Sequence, residues 1–359
     1  MKRALPFVGV VATLWACGST PAPGAESDAG APPSDGGTVV LPDGAVVVVP
    51  PGGDAGPLPA TDGGALEAFS YRSYPMPAEN PGALSAFVEA PAGNPAKAVV
   101  VVLHGCTQRA QDIARAGFSD AAKAYGFVAV YPEQSTTNDA TTCFRWYTRD
   151  HAARGKGELA SIAALANDAK ARFGATRVFV AGLSAGGAMA AAALAAYPEV
   201  FEAASLQAGI AYGCATSALE GYTCSSTPKS LSAQAWGDLV RAAATPSAGV
   251  RVQIWQGDAD PVVKPQNADA LVLQWTNVAG IDATPDAETR DGAVSTKAFH
   301  DGSGKTRVEL DVVAGMAHGT PMTTRGPDAP CGSPGAYALD AGACAAGAAA
   351  RFFGLTKLP

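Results

Sequence analysis

Metal and nucleotide chemistry are what this sequence most plainly lacks the means for. Its 359 residues hold only four histidines, scattered along the chain, and its seven cysteines include no Cys-x-x-Cys pair, so the ligand spacing of a zinc site is missing. Charged residues make up only 16%, the net charge is −7 and no basic cluster occurs, which argues against nucleic acid as a partner. Two glycine-rich stretches fail as phosphate cradles. Gly302-Ser303-Gly304-Lys305-Thr306 ends like a phosphate loop, but Phe299 stands where the opening glycine is required and an extended segment follows, so it reads as a hairpin turn. The run 182–187 lacks the dinucleotide spacing, and no acidic residue follows it ~20 positions on at a strand end. The expectation is a protein with no cofactor, no metal and no internal repeat.

The amino-terminal region is short of large side chains. Lys2 and Arg3 precede an apolar run at 4–16 that is too short to span a bilayer comfortably, which reads as a signal peptide over 1–17. Leu14-Trp15-Ala16-Cys17 resembles a bacterial lipobox, with Cys17 the lipidated residue; the bulk of Trp15 keeps ordinary cleavage near Ala16 as the competing reading. From 18 to 64, Gly, Pro, Ala, Asp and Ser dominate. Such a segment cannot bury enough surface to offset its ordering entropy, so it reads as a disordered linker, and a short strand at 46–49 is subordinate to that reading. Its Asp-Gly pairs lack the regular spacing of a calcium loop. The chain is thus expected to be exported, extracellular or at the outer cell surface, touching a membrane only through a lipid on Cys17.

Six cysteines remain beyond Cys17, an even number that favours disulfides in an exported protein. Sequence alone does not determine the pairing. Proximity favours Cys214 with Cys224 and Cys331 with Cys344, leaving Cys106 with Cys143.

Over 65–359, strand-like and helix-like segments alternate, the mark of an α/β fold with a mostly parallel sheet flanked by helices. Strands are expected at 84–89, 97–103, 127–131, 177–181, 203–207, 250–256 and 307–313. Helices are expected at 119–125, 157–173, 185–197, 231–243, 265–278 and 345–353. No second boundary is visible, so this is one domain.

The most informative stretch runs from Arg177 through Gly182-Leu183-Ser184-Ala185-Gly186 into an alanine-rich segment. A serine at the end of a buried strand exposes its hydroxyl only through a sharp turn, and the crowding there calls for glycine on both sides. A neutral hydroxyl is a poor nucleophile, so a histidine must take its proton and a carboxylate must orient that histidine. In α/β-hydrolases these follow in the order Ser, Asp or Glu, His. His318, in Ala314-Gly315-Met316-Ala317-His318-Gly319 just after an expected strand, fits better than His300 at a polar turn. The expected strand 250–256 leads into Gly257-Asp258-Ala259-Asp260-Pro261; Asp260 lies inside the turn, leaving Asp258 to cap the loop backbone. The amides of Ala185 and of Cys106, in the loop after the strand 97–103, are the expected oxyanion donors. His104 reads as an architectural residue that bonds this loop's backbone.

Together, Leu103-His104-Gly105-Cys106-Thr107-Gln108, Tyr131-Pro132-Glu133-Gln134, Cys143-Phe144-Arg145-Trp146-Tyr147, Gly157-Glu158-Leu159-Ala160-Ser161-Ile162, the serine motif and Gly315-Met316-Ala317-His318-Gly319 resemble one family. It is the extracellular esterase family of type 1 short-chain polyhydroxyalkanoate (polyhydroxybutyrate) depolymerases and feruloyl or acetylxylan esterases. The resemblance spans about residue 70 to the end. It implies an α/β-hydrolase fold and a serine carboxylesterase with the triad Ser184, Asp260 and His318. The implied substrate is a polyester oligomer or an acylated polysaccharide, and the enzyme is expected to be a monomer. Gln256 stands where a histidine is common and Arg145 where an asparagine is common. Trp146 and Tyr147 are candidate substrate-binding aromatics, with buried packing as the alternative. Rival readings are a peptidase of the same fold and a surface-tethered binding module built on an inactive hydrolase.

Overall fold

A computed structural model describes residues 38–40, 46–48, 68–92, 95–247 and 249–358. The leader at 1–17, Cys17 and most of the 18–64 segment lie outside the described residues. The chain divides into two units, Met1–Gly56 and Pro57–Pro359. In the first, β1 (Thr38–Val40) pairs antiparallel with β2 (Val46–Val48), so the short strand subordinated to a linker reading is present as half of a hairpin.

The second unit is built on a ten-stranded sheet. Its strands are β3 (Arg72–Ser73), β4 (Ser85–Glu89), β5 (Val99–Leu103), β6 (Val128–Glu133), β7 (Val178–Leu183), β8 (Ala203–Gln207), β9 (Arg251–Gly257), β10 (Ala287–Asp291), β11 (Val294–His300) and β12 (Thr306–Val313). The order across the sheet is β10-β11-β12-β9-β8-β7-β5-β6-β4-β3. From β12 to β6 neighbours are parallel, and only the two edges are antiparallel. The central strands β5, β7 and β8 are buried along their whole length, as parallel strands covered on both faces must be. Their runs of Val, Ala and Leu are that constraint written in sequence.

Helices α4 (Gly157–Arg172), α5 (Ala185–Ala196), α7 (Ala233–Ala243) and α8 (Gln266–Ala279) form one covering layer. Every residue of α5 is buried, and its small alanine and glycine side chains let it lie close against β7 and β8. The other face carries α1 (Ala110–Ile113), a π-helical turn Ala114–Phe118, α2 (Ser119–Tyr125) and, at the end of the chain, α9 (Ala345–Phe352). Just beyond α9, Phe353 stacks face to face on Phe179 of β7, ring centroids 4.4 Å apart. Short helices α3 (Arg149–Ala152) and α6 (Ala218–Ser226), and the parallel pair β13 (Thr320–Met322) and β14 (Ala338–Asp340), complete the unit. The disulfides are Cys106–Cys143, Cys214–Cys224 and Cys331–Cys344, the pairing that proximity favours. Among the described residues no helix is long and apolar enough to cross a membrane.

Three elements carry no periodic signal. The β10 residues Glu288 to Asp291 are exposed at the sheet edge, so no apolar alternation marks the strand. Helix α6 contains Gly221 and four hydroxyl residues, and it is held by the Ser217 cap and the Cys214–Cys224 bridge rather than by propensity. The π-helical turn carries Gly117 at φ 116°, packed against Cys331.

One sheet face is polar under α9. Ser205, Gln253 and Glu309 share a register row, and Gln253 Nε2 donates to Glu309 Oε1 at 2.8 Å and to Asp311 Oδ2 at 3.3 Å. Thr296 Oγ1 donates to Asp311 Oδ1 at 2.5 Å. Burial, aided by the charge of Glu309, pushes the Asp311 carboxyl up to about 7. An acid raised in the fold above its ordinary ~3.9 contributes stability that is complete below that value and is lost as pH rises through 7.

Two outcomes follow. Phe353→Ala should lower stability by about 3–5 kcal/mol in urea unfolding, the cost of emptying a fully packed aromatic site. Asp311→Asn should raise the melting temperature relative to the wild type more at a pH above about 7 than near pH 5. An offset equal at both pH values would contradict the buried-acid account.

Candidate active site

Strand β7 ends at Leu183 and α5 begins at Ala185, leaving Ser184 alone to make the turn. It does so at φ 57°, ψ −121°, a conformation that non-glycine residues rarely hold without support. The support comes from contacts that exclude side chains. A Cβ at Gly182 would strike Gly186 O, and one at Gly186 would strike the carbonyl oxygens of Leu103 and His104. The Ser184 N–H is held by Gln207 O at 2.9 Å. A serine in the N-cap position usually caps its helix, but this one makes no cap bond, so its hydroxyl and the first α5 amides are left for other use.

The loop after β5 lies beside the elbow. A Cβ at Gly105 would be 3.4 Å from Ser184 Cβ. His104 is fully buried; its Nε2 accepts the Gln134 N–H at 3.1 Å, which leaves the proton on Nδ1 to be donated to Gly105 O at 2.7 Å. Burial pushes its pKa down to about 4, so the ring stays neutral. Gln108 Oε1 takes the Gly105 N–H at 2.7 Å. Among the described residues neither the Cys106 nor the Ala185 N–H donates a hydrogen bond. The Cys106–Cys143 bridge ties this loop to the 139–147 segment.

The third part comes from the ends of β9 and β12. Asp260 is 3% exposed and both of its oxygens are engaged: Oδ1 by the Val262 and Val263 amides at 2.8 and 2.9 Å, Oδ2 by His318 Nδ1 at 2.7 Å and Gln256 Nε2 at 3.4 Å. Asp258 caps not its own loop but the one after β12, taking the Gly315 N–H at 2.6 Å. Together with Ala259 N–H to Met316 O at 3.2 Å, this bolts the histidine loop onto the aspartate loop. No side chain fits at Gly257, because a Cβ there would strike Met316 O.

His318 Nδ1 is thus oriented by Asp260, as the Ser-Asp-His order requires. Among the described residues no hydrogen bond joins Ser184 Oγ to His318; in unliganded hydrolases this contact is commonly long and tightens around substrate. Tyr337 lies edge-on to the His318 ring at 6.0 Å, with its hydroxyl 3.5 Å from Thr107 Oγ1, whose own proton goes to Cys106 O at 2.7 Å. Trp146 and Tyr147 are half-buried and meet each other edge-on. Tyr147 packs on Gly221 of α6 and donates to Asp139 Oδ2 at 3.0 Å; among the described residues neither ring makes a ring or hydrogen-bond contact with Ser184, Asp260 or His318.

The sequence reading also missed roles. Arg145 pairs inward: its Nε is 2.7 Å from Oε1 of the fully buried Glu158. Gln256, in place of a common histidine, spans Gly257 O, Asp260 and Val263 O and so buttresses the acid. Glu158 and Gln108 stand inside quoted motifs, but only tertiary contact reveals what they hold.

Residues 84–296 match the family model described as "Esterase PHB depolymerase", a span that includes Ser184 and Asp260 and ends before His318. Poly(3-hydroxyalkanoate) depolymerase C of Paucimonas lemoignei is 39% identical over 274 residues, 75% of this chain and 66% of that protein, so the chain spans just under two thirds of that relative's length. Feruloyl esterase B of Thermothelomyces thermophilus is 33% identical over 198 residues, 52% of this chain and 67% of the relative. Among solved structures, an acetyl xylan esterase from Aspergillus awamori superposes with a TM-score of 0.62 at 24% identity, over 69% of this chain and 94% of that one, which shows the α/β-hydrolase fold. With the family model matching more than half of its length, the chain belongs to the esterase PHB depolymerase family.

Proposed function

We propose that this protein hydrolyses carboxylic esters through an acyl-enzyme, with Ser184 as nucleophile, His318 as base and then acid, and Asp260 as orienter. The observation that carries the reading is the conjunction of an uncapped serine at φ 57° with a buried Asp260–His318 pair at 2.7 Å, on loops at the carboxyl ends of the same parallel sheet. Family membership supports it.

In the first half-reaction Ser184 Oγ attacks the ester carbonyl carbon as its proton passes to His318 Nε2. Negative charge collects on the carbonyl oxygen and is taken up by the Cys106 and Ala185 amides, which donate no hydrogen bond among the described residues. The tetrahedral intermediate collapses, the C–O bond to the alcohol breaks, and the imidazolium returns its proton to the leaving oxygen. Water, deprotonated by the same histidine, then releases the acid and regenerates the serine. Asp260 holds the Nδ1–H tautomer throughout.

The substrate class is a polyester oligomer of the hydroxyalkanoate type or an acyl ester of plant polysaccharide, following the depolymerase and feruloyl esterase relatives. Trp146 and Tyr147 belong to the outer wall of this reading rather than its centre. We also propose export, with lipidation of Cys17 tethering a monomeric catalytic unit.

Ser184→Ala should lower kcat by roughly 10⁴–10⁶-fold and abolish fluorophosphonate labelling. A wild type that neither labels nor hydrolyses short acyl nitrophenyl esters, methyl ferulate, acetylated xylan or hydroxybutyrate oligomers would instead support a binding module.

A further inference from the structure

Glu158 is a carboxylate with no exposed surface, in a helix that contributes nothing else to the site. It sits at the end of two separate chains of contacts. In the first, its Oε1 accepts Gln134 Nε2 at 2.7 Å; the Gln134 N–H bonds His104 Nε2 at 3.1 Å, and His104 Nδ1 holds Gly105 O at 2.7 Å. In the second, its Oε2 accepts the Arg145 N–H at 2.7 Å while Oε1 takes Arg145 Nε at 2.7 Å. Arg145 lies two residues from Cys143, whose carbonyl receives Gln134 Nε2 at 3.3 Å and whose sulfur is bonded to Cys106.

Both chains end on one peptide unit. The Gly105 carbonyl and the Cys106 N–H belong to the same planar amide, in which C=O and N–H point opposite ways. Fixing the carbonyl through His104 fixes the direction of the N–H, and the disulfide fixes the residue that bears it. Gln108 steadies the preceding amide but does not set this plane.

We infer that Glu158 is a positioning residue for oxyanion stabilisation, whose buried carboxylate sets the orientation of the Cys106 N–H through Gln134–His104 and through Arg145–Cys143. The inference rests on the ester-hydrolase reading above. Its physical basis is that an oxyanion donor acts only if preorganised, because a donor that must reorient during reaction loses part of its advantage. A carboxylate suits the post, since it takes three donated hydrogen bonds, from Gln134 Nε2 and Arg145 Nε on Oε1 and from the Arg145 N–H on Oε2, with His151 Nδ1 also 3.5 Å from Oε1.

Glu158→Gln tests this with the side-chain volume kept. Its amide NH₂ must face a donor whichever way it turns, loosening one chain or the other. Measured on a short acyl nitrophenyl ester with active sites counted by fluorophosphonate titration, kcat should fall about tenfold or more, short of the roughly 10²–10³-fold of an entire lost donor. KM should stay within about twofold, because Ser184 and His318 are intact. Affinity for an arylboronic acid, which forms a tetrahedral adduct on the serine, should fall by the same factor as kcat/KM. A titrated kcat equal to that of the wild type, whatever happens to the melting temperature, would leave Glu158 a structural residue and overturn the inference. Should Glu158→Gln fail to fold, Gln134→Met, which cuts the first chain at its side chain and leaves the His104 contact, is judged by the same criteria. Retained hydrolysis in Ser184→Ala would sink the underlying reading instead, a result distinguishable from either.

Discussion

The close approach of α5 to the end of β5 is the constraint on which the rest of the site depends. At Gly186 the helix backbone lies against the carbonyls of Leu103 and His104, nearer than any Cβ permits. That contact forces the turn to be completed in one residue, and Ser184 takes a positive φ to do it. The same contact brings the helix N-terminus alongside the loop after β5, where a Cβ at Gly105 would be 3.4 Å from Ser184 Cβ.

Around this dry contact the site is held by polar bolts rather than by apolar packing. His104, Gln108, Gln134 and Glu158 secure the loop after β5; Asp258, Gln256 and the Asp260 carboxylate secure the loops after β9 and β12. Buried hydrogen bonds of this kind add modestly to net stability but are costly to leave unmade, so they specify one geometry. Apolar side chains would bury as well and would let the loops slide. Neutral His104 follows the same logic: burial makes its charged form unfavourable, and a neutral ring can donate at one nitrogen and accept at the other.

Elements whose burial is uniform or periodic were legible without coordinates. The strands β5, β7 and β8 and the helices α4, α5 and α8 fall within one or two residues of the expected spans, because burial on both faces of a parallel sheet demands continuous apolar runs. The β10–β11 hairpin and α6 were not legible. The first is an exposed edge with no face to alternate, and the second is stabilised by a cross-link and a cap rather than by its own pattern. Within the site, Ser184, Asp260 and His318 could be nominated because each residue stands in a turn after a strand. Glu158 could not be assigned a partner, since its helix position says only that it is an acid near an N-terminus.

The sequence by itself determined the chain order Ser184, Asp260, His318 and the need for glycine at 182 and 186, since chain order and steric need are local properties written in residue identity. It also favoured the disulfide pairing, by proximity alone. Tertiary structure decided that Asp260 and His318 meet, that Tyr147 is committed to Asp139, and that Arg145 is bound inward to Glu158. Those outcomes turn on hydrogen bonds between residues 8 to 58 positions apart, and such distances are closed only when the sheet assembles its loops at one end.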